Sequence, residues 1–531
     1  MNLAGSPRSQ RIHTTWLPSY TRQYRRPGGP WDVPHLDTLM TNGRSEVVDG
    51  PFRLNHQEIE SMVQALAYAL GSKGVKRSEV VAWQLPNSLA SLLLYRACWR
   101  IGAVAAPVLH SFGPSEVDAA LAQVNPRLFI DLDPLKASDP AKILEELVGP
   151  GVYENSQLTK ASVLLEAQQI RSAKPRVSDI AVVLFTSGST GTPKAVLHTH
   201  RSLAWKALLM ADVHGLSSTD CVLMPAPLAH VSGLLNGILL PGSAGMRAVL
   251  MRRFDPSEAL EIIEREHVSF MAGPPTFFIS MSKILEESTD SPSVESMRLI
   301  SSGGASVTPA FIEATAQAFD CRVKRTYGST EAPTVTTSTN DDPAQIARDT
   351  EGRAVGEVKL RIVDPVTFKK LPDGEPGELW VRGPELFAGY VDSEQTKQAI
   401  APGGWFRTGD LGIISDGGWL RIVGRIKDVI IRGGENISAS EVEAVLESHP
   451  NISQAVAVGY PDPLMGERVM AFVVSSEPFE LDQCIQWFLT KGVAKFKTPE
   501  KVKRLREIPL LGSGKPDRNA LKELASAHDA H

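Results

Sequence analysis

The chain has 531 residues, of which 42% are hydrophobic and 22% charged, and both values are ordinary for globular proteins. This length exceeds what one hydrophobic core usually supports, so we expect two or more domains. A formal net charge of −5 argues against general attraction to nucleic acid and favours small-molecule substrates.

The cysteines and the hydropathy pattern indicate the compartment. The four cysteines are widely scattered, without the close pairs that bind zinc, and we expect them to be reduced. No apolar run is long enough to span a bilayer, and the first residues lack the hydrophobic centre of a secretion signal. The sequence therefore predicts a cytoplasmic protein without an integral membrane segment, and it leaves a homodimer open.

The stretch before Asp32 combines arginines and aromatic residues and contains no acid. These residues are Arg8, Arg11, Trp16, Tyr20, Arg22, Tyr24, Arg25, Arg26 and Trp31. Such an arm could contact an anionic membrane or a partner subunit. The aromatic residues favour instead an arm that packs along its own domain.

Apolar runs alternate with segments of helical period, which is typical of the strands and crossover helices of an α/β fold. The runs at 80–85, 127–130 and 248–250 predict strands. A helix should begin after Asp255, with Glu258 closing a capping box. Its apolar face would be Leu260, Ile263 and His267, and the run 268–273 would be the returning parallel strand.

A buried strand over 181–185 leads directly into a segment rich in Gly, Ser and Thr that ends on a lysine. Glycines let backbone N–H groups turn toward an anion, and the hydroxyls add donors, so the segment predicts a loop for the phosphates of a nucleotide triphosphate. Lys194 lies between Pro193 and Ala195, which excludes the Walker A pattern. The candidate residues are Thr186, Ser187, Gly188, Ser189, Thr190, Gly191 and Lys194.

After about residue 350, short strands with Gly and Asp turns predict a small β-rich subdomain, as at 358–363 and 377–381. The segment 424–428 follows, and a new helix should open with a capping box at Ser440-Glu443. The boundary between a large N-terminal domain and a small C-terminal domain falls between these two features.

Five short motifs occur in a fixed order between residues 185 and 515. They are 185–194, Tyr327-Gly328-Ser329-Thr330-Glu331, Arg407-Thr408-Gly409-Asp410-Leu411, Gly424-Arg425-Ile426-Lys427-Asp428 and Gly512-Ser513-Gly514-Lys515. Together they resemble the signatures of the adenylate-forming enzymes, namely acyl-CoA synthetases, luciferases and peptide-synthetase adenylation domains. In overall character the chain is similar to medium-chain and alicyclic acid CoA ligases, such as cyclohexanecarboxylate CoA ligases.

The resemblance implies an ATP- and acyl-binding domain over 1–424, with α/β sheets and the β-rich subdomain. It implies a hinge at 425–427, with Lys427 at the hinge position, and a mobile α+β domain over 428–531. The implied reaction uses ATP, Mg²⁺ and CoA: the acid is adenylated with pyrophosphate release, and CoA then forms the thioester and releases AMP.

The resemblance also implies roles for the residues of adenylation. Lys515 would bridge the carboxylate and the α-phosphate, Thr330 would face that phosphate, and Glu331 would ligate Mg²⁺. Asp410 would offer two oxygens to the ribose hydroxyls, with Arg425 in support. Tyr327 would stack on adenine, Gly303, Gly304 and Ala305 would lie on the adenine side, and Gly328 and Ser329 would be further ATP- or AMP-binding residues.

The acyl pocket and the CoA tunnel are implied in the same way. The pocket would include His230, which would gate it, with Val231, Leu235 and Gly304. Amino-acid-activating relatives carry an aspartate after the position of His230, and this chain has Val231, Ser232 and Gly233 there, which favours an apolar carboxylate. The tunnel residues would be Gly433, Gly434 and Glu435.

Three alternatives stay open at this point. An acyl-AMP ligase would pass its adenylate to a carrier protein, and a luciferase-like oxygenase would emit light. A catalytically silent nucleotide-binding scaffold is the third, although it would have no evident need for Lys515, Glu331 and Asp410 together. The sequence leaves the acid open among medium-chain, alicyclic, aryl and steroid-derived acids.

Overall fold

The protein, seen in a computed structural model, is an α/β molecule with a large N-terminal and a small C-terminal domain, as the sequence predicts. The structure describes residues 19–41, 45–148, 153–154, 157–158, 175–186, 193–287, 291–305, 307–432, 435–462, 464–511 and 515–527. Across these ranges, no helix has both the length and the apolar character needed to cross a membrane. The four cysteines are free thiols.

Strands and helices alternate along much of the described chain. The strands are β1 (Glu46–Asp49), β2 (Phe52–Leu54), β3 (Val80–Gln84), β4 (Val104–Val108), β5 (Leu128–Ile130), β6 (Tyr153–Glu154), β7 (Gln157–Leu158), β8 (Ile180–Thr186), β9 (Lys194–Thr199), β10 (Cys221–Met224), β11 (Arg247–Leu250), β12 (Phe270–Gly273), β13 (Leu299–Gly303), β14 (Arg322–Tyr327), β15 (Thr336–Thr337), β16 (Arg353–Ala354), β17 (Lys359–Val363), β18 (Gly377–Arg382), β19 (Ile400–Ala401), β20 (Trp405–Ser415), β21 (Trp419–Arg425), β22 (Val429–Arg432), β23 (Glu435–Ser438), β24 (Ile452–Asp462), β25 (Gly466–Ser475) and β26 (Lys501–Arg504). The α-helices are Leu36–Thr41, His56–Ser72, Leu89–Ile101, Pro114–Val124, Pro140–Leu147, His200–His214, Val231–Leu234, Leu240–Ala244, Pro256–Glu266, Pro275–Glu287, Pro309–Phe319, Ala344–Asp349, Ser393–Ala399, Ala439–Glu447, Leu481–Thr490 and Arg518–Ala527.

Two large sheets organise the described part of the N-terminal domain. One has the order β5-β3-β4-β8-β9 and is parallel except for β9. The other is parallel from β1 through β11, β10, β12 and β13 to β14, and it then continues antiparallel through β15, β16, β21, β20, β18 and β17. The β-rich region predicted after residue 350 is therefore hydrogen-bonded to the large sheet.

The helix Leu89–Ile101 forms part of the core that lies between these sheets. Ser88 caps its N-terminus, and Gly102 ends it at a φ of 72°, a left-handed conformation that glycine adopts without strain. All of its residues except Arg100 are buried. A helix buried on every side needs apolar neighbours all round, and residues of both sheets provide them.

The C-terminal domain has its own sheet of order β23-β22-β25-β24, with β26 parallel to β25. Alternate residues of β24 face opposite sides, so two apolar layers form. Ala455 and Ala457 pack with the helices Ala439–Glu447 and Leu481–Thr490. Val456 and Val458 pack with the last helix, through Leu521 and Ala525 in that helix.

The predicted helix after Asp255 is present as Pro256–Glu266, and the Asp255 carboxylate accepts a hydrogen bond from the N–H of Glu258 at 2.9 Å. The returning strand is β12, which is parallel to its neighbours. The placement of His267 on the apolar face was wrong. His267 follows the helix in a left-handed conformation, with φ of 50°, and its side chain is exposed.

The predicted capping box at Ser440 was also wrong. The helix begins at Ala439, and its cap residue Ser438 makes no side-chain cap bond. The hydroxyls of Ser438 and Ser440 instead donate to the carbonyl oxygen of Val423, at 2.6 and 2.9 Å. These serines tie the first C-terminal helix to β21, across the predicted boundary.

The N-terminal arm packs on its own domain where it is described. The side chains of Tyr24 and Trp31 are buried and meet edge to face, with ring centroids 5.2 Å apart. The Trp31 indole donates to the carbonyl of Pro384, and the guanidinium of Arg201 lies 3.7 Å from the centroid of a Trp31 ring. The arginines and the tryptophan before residue 19 lie outside the described residues.

Candidate functional site

The predicted phosphate loop connects two antiparallel strands. Thr186 ends β8 and Lys194 begins β9, and the two residues are paired across the ladder. The strands therefore bring both ends of the loop together. The predicted loop residues Ser187, Gly188, Ser189, Thr190 and Gly191 lie outside the described residues.

The turn after β14 carries the predicted metal ligand and is fixed at several backbone positions. The N–H of Val335 donates to Tyr327 at 2.7 Å, and Ser329 exchanges two backbone hydrogen bonds with Ala332. A Cβ atom on Gly328 would lie 2.4 Å from the backbone nitrogen of Thr334, so only glycine fits there. This compact turn presents the Glu331 side chain.

Two further hydrogen bonds, to backbone carbonyls of the same turn, hold it in place. The ring nitrogen Nε2 of His198 lies 2.7 Å from the carbonyl oxygen of Thr330, and it must carry the proton because a carbonyl only accepts. Burial lowers the pKa of His198 to about 4, so the ring is neutral. The N–H of Phe387 donates to the carbonyl of Glu331 at 2.8 Å.

A buried carboxylate lies in the middle of β20, where its residue pairs with the last residue of β21. Asp410 is 3% exposed, and Arg425 opposite it forms an ion pair with it, with Nε 2.6 Å from Oδ1. The hydroxyl of Tyr327 donates to Oδ2 at 2.6 Å. Burial and the Asp410 charge raise the pKa of Tyr327, so the phenol stays a neutral donor. A nucleotide that binds here meets a carboxylate whose orientation is already fixed on both oxygens.

Lys515 comes from the C-terminal domain and enters the N-terminal domain. The loop that carries it is closed at its base, where Leu511 donates to the Lys515 carbonyl at 2.7 Å and Asp517 donates to Pro509 at 2.8 Å. The Lys515 Cε atom lies 3.5 Å from the point where a Cβ of Gly304 would be. Residues 512–514 lie outside the described part of the chain.

The ionisation of Lys515 depends on its position among the site residues. Burial lowers the pKa of Lys515 to about 8, and the positive charges of Arg425 and Lys427 act in the same direction. The carboxylates of Asp410 and Glu331 oppose this shift. The structure thus brings predicted residues of four separate motifs, from both domains, into one electrostatic environment.

Three of the four predicted acyl residues, His230, Val231 and Leu235, belong to an irregular helix and its cap near Lys515. His230 caps the helix Val231–Leu234, which continues through a π-helical turn at Leu235–Leu239. Such turns are often found at functional sites. Burial lowers the pKa of His230 to about 4, and the charge of Lys515 adds to the effect, so the imidazole is neutral. Val231 and Leu235 are 8% and 4% exposed.

Gly303 and Gly304, at the end of β13, suit their positions for different structural reasons. A Cβ on Gly303 would lie 2.0 Å from the carbonyl oxygen of Thr326 on the neighbouring strand, so close strand packing requires this glycine. Gly304 has a φ of 80°, is exposed and faces Lys515. Ala305 follows and is partly exposed. The predicted role of Gly304 beside a ligand therefore fits its position better than that of Gly303.

The predicted hinge residue Lys427 lies close enough to this cluster for its charge to act on Lys515. Lys427 is in the 3-10 turn Ile426–Asp428 between β21 and β22. Glu435 begins β23 and is exposed, and it has no hydrogen bond to the cluster within the described residues. Gly433 and Gly434 lie outside those residues.

The sequence analysis did not identify several buried residues that hold the site residues in place. Tyr390 donates its hydroxyl to Oε1 of Glu331 at 2.7 Å. Lys206 and Glu385 form a fully buried ion pair at 3.4 Å, and Lys206 also donates to the carbonyl of Thr334 at 3.0 Å. No motif marks these residues, and the pair is separated by 179 positions. Lys206 is flanked in the sequence by apolar residues on both sides, and this pattern is the signal that could have identified it.

The residues present fit a magnesium ion only together with a nucleotide. Among the described residues, no group of three or more His, Cys, Asp or Glu side chains could hold a metal. Glu331 supplies one carboxylate, and Mg²⁺ commonly takes one or two carboxylates and completes its shell with phosphates and water.

Comparisons with known proteins identify the family of this chain. The AMP-binding enzyme family matches residues 38–391, and the AMP-binding enzyme C-terminal domain matches residues 441–515. The medium-chain fatty-acid–CoA ligase of Escherichia coli (strain K12) is 32% identical over 485 residues, which are 88% of this chain and 85% of that protein.

A second relative and a solved structure extend the comparison. Indoleacetate–CoA ligase of Aromatoleum aromaticum (strain DSM 19018 / LMG 30748 / EbN1) is 31% identical over 481 residues, covering 89% of this chain and 93% of that protein. The crystal structure of ATP-bound MatB from Rhodopseudomonas palustris superposes with a TM-score of 0.79 at 26% identity, covering 92% of this chain and 98% of that one.

Proposed function

Because the chain belongs to the family of AMP-binding enzymes and is an AMP-forming acid–CoA ligase, we propose that it activates an apolar carboxylic acid. In the first step, a carboxylate oxygen of the acid attacks the α-phosphorus of ATP, and the bond to pyrophosphate breaks. In the second, the CoA thiolate attacks the acyl carbonyl, and AMP leaves. The observation that supports this best is that the charge of Lys515, from the C-terminal domain, interacts with Asp410, Glu331 and His230 of the N-terminal domain.

The nucleotide would bind beside the end of β14 and the middle of β20. The Asp410 carboxylate accepts the ribose hydroxyls, and Arg425 keeps it oriented and charged. The Tyr327 ring lies against adenine, with the glycines Gly303, Gly304 and Gly328 beside it, and Ser329 and Ala305 complete this side. Thr330 donates to the α-phosphate.

The triphosphate would lie between the phosphate loop and the Glu331 turn. Thr186, Lys194 and the loop residues 187–191 donate to the β- and γ-phosphates. Glu331 holds Mg²⁺, which when bound supplies positive charge beside the phosphate oxygens. The chain itself would then orient the phosphates between this loop, whose ends pair at Thr186 and Lys194, and the Glu331 turn.

Lys515 would lower the barrier when one anion attacks another. With a pKa of about 8 it is largely protonated at neutral pH. A positioned cation that stabilises developing charge is worth about 3 kcal/mol, on the scale of one oxyanion-hole donor. Lys515 is therefore the residue on which adenylation depends most.

The second step would use a different arrangement of the domains. The small domain, 428–531, turns relative to 1–424 about the hinge 425–427, at Lys427, and carries Lys515 away. Gly433, Gly434 and Glu435 then line the path of the pantetheine arm. One cavity serves both half-reactions in turn.

The acid would be apolar because its pocket offers no charge to a polar substituent. His230 is neutral, and Val231 and Leu235 are apolar. The positions after His230 carry no aspartate that could hold an ammonium group. Medium-chain and alicyclic acids fit this chemistry, and so do aryl acids.

A panel of acids tests the proposal in two assays. We expect ATP–pyrophosphate exchange that depends on the acid, and AMP release that depends on CoA, with the best rates for medium-chain, alicyclic or aryl acids. Lys515→Ala serves as the control: it should abolish exchange and spare thioester formation from supplied acyl adenylate. Exchange without CoA-dependent AMP release would contradict the second step and favour transfer to a carrier protein.

A further inference from the structure

Tyr390 lies in a segment that runs beside the strand leaving the phosphate loop. The backbone of 388–391 exchanges hydrogen bonds with β9: Ala388 donates to Leu197 at 2.7 Å, Leu197 donates to Gly389 at 2.9 Å, and Val391 donates to Ala195 at 3.0 Å. The segment is thus an extra edge on the strand that begins with Lys194. Its position is fixed relative to the base of the loop.

The same segment holds the turn of the proposed metal ligand. Phe387 donates its N–H to the carbonyl of Glu331, and the Tyr390 hydroxyl donates to Oε1 of Glu331 at 2.7 Å. The phenol must be the donor because a carboxylate only accepts. The Lys194 ammonium lies 5.3 Å from the centroid of the Tyr390 ring, within the range of a cation–π contact.

We propose that Tyr390 is a positioning residue that orients the Glu331 carboxylate toward metal-bound ATP. This inference rests on the proposed function, in which Glu331 holds the metal. A carboxylate on a flexible side chain can rotate, and a hydrogen bond to one oxygen fixes its plane and leaves the other oxygen for the ion. Partners of this kind behind a metal ligand commonly tune metal affinity.

Calorimetric titration with ATP, in the absence of any acid substrate, tests this role. It compares excess Mg²⁺ with excess chelator, for the wild-type enzyme and for Tyr390→Phe. This variant keeps the buried ring and its contact with Lys194 and removes only the hydroxyl. We expect it to bind Mg²⁺–ATP about tenfold more weakly, the effect of one hydrogen bond to a charged group, and to bind metal-free ATP as the wild type does.

Two further variants separate orientation from packing. Tyr390→Leu removes the ring as well and should weaken the binding of ATP both with and without the metal. Tyr68→Phe, in the helix His56–Ser72 outside the site, should change neither affinity. Unchanged binding of metal-free ATP by Tyr390→Phe also shows that this variant is folded.

The outcomes distinguish this inference from the proposed function. If magnesium strengthens ATP binding equally in the wild type and in Tyr390→Phe, the positioning role is overturned and the metal site stands. An equal loss with and without metal would also overturn it, because the hydroxyl would then serve the nucleotide pocket as a whole. If magnesium does not change the affinity of the wild type, both the metal site and the role of Tyr390 fail.

Discussion

Lys515 is held in a position where its charge is unfavourable in the absence of substrate. Burial lowers its pKa from 10.5 to about 8. Between these two pH values the unfolded chain binds a proton that the folded chain does not, so this lysine costs stability below pH 8 and the cost disappears as the pH rises toward 10.5. A bound ATP anion offsets the cost.

The pH dependence of adenylation should reflect this residue. In the proposed mechanism the protonated lysine is the active form, so we expect kcat/KM for ATP in pyrophosphate exchange, which reports the free enzyme, to fall as the pH rises through about 8. In Lys515→Arg this decline at high pH should be absent, whatever activity the variant retains, because a guanidinium stays charged. Lys194→Arg should still show the decline. If the decline persists in Lys515→Arg, the titration belongs to another group.

At the scale of elements, Arg518 joins the Lys515 loop to the rest of the C-terminal domain. Its guanidinium forms an ion pair with Glu443 at 2.7 Å, donates to the carbonyl of Ala457 at 2.8 Å and lies 3.8 Å from Asp428. Arg518 begins the last helix, three residues after Lys515. It therefore connects the loop base with β24, with the helix Ala439–Glu447 and with the end of the hinge turn.

Replacing Arg518 should destabilise the domain and misplace the loop. Arg518→Gln leaves the Glu443 carboxylate, which is 3% exposed, without its cation, and we expect the free energy of unfolding to fall by about 2 kcal/mol. Denaturant unfolding measures this, and pyrophosphate exchange should fall more than thioester formation from supplied adenylate. Adding Glu443→Gln should recover part of the stability. Lys522→Gln, exposed on the same helix, is the control. An equal loss of stability in this variant would contradict the role of Arg518 in joining the loop to the domain.

Local elements could be predicted from the sequence because their causes are local. Asp255 caps its helix, and β3, β5, β11 and β12 lie at the apolar runs, since caps and apolar runs act over a few residues. The prediction at Ser440 was wrong for a reason that is not local. The hydroxyls of Ser438 and Ser440 bind a carbonyl on β21 rather than the first turn of the helix, and only the approach of two domains decides that choice.

At the scale of the molecule, the motifs predicted which residues to consider but not how they are supported. Tyr327 and Asp410 lie in separate motifs, and the structure joins them by a hydrogen bond. Tyr390 and the pair Lys206–Glu385 carry no motif. A fully buried lysine is stable only beside a partner that the chain topology supplies, and hydrophobic patterning alone does not reveal that topology.

The proposed hinge is the short turn after Arg425. In the structure, Arg425 is extended, with φ of −130° and ψ of 141°, and Ile426 begins the 3-10 turn and is 39% exposed. Proline suits the first position of such a turn, and an extended residue suits the position before proline. Ile426→Pro should therefore fit the observed arrangement and oppose rotation away from it.

We expect Ile426→Pro to keep acid-dependent pyrophosphate exchange and to lose roughly 100-fold in thioester formation from supplied acyl adenylate and CoA, the effect of reactive groups held out of place. Ile426→Ala removes the same side chain without fixing φ, and it should retain both activities. Single-turnover measurement of each half-reaction separates the two effects. If the proline and alanine variants form thioester equally fast, the second step does not need rotation at this turn, and the hinge must lie elsewhere in the chain.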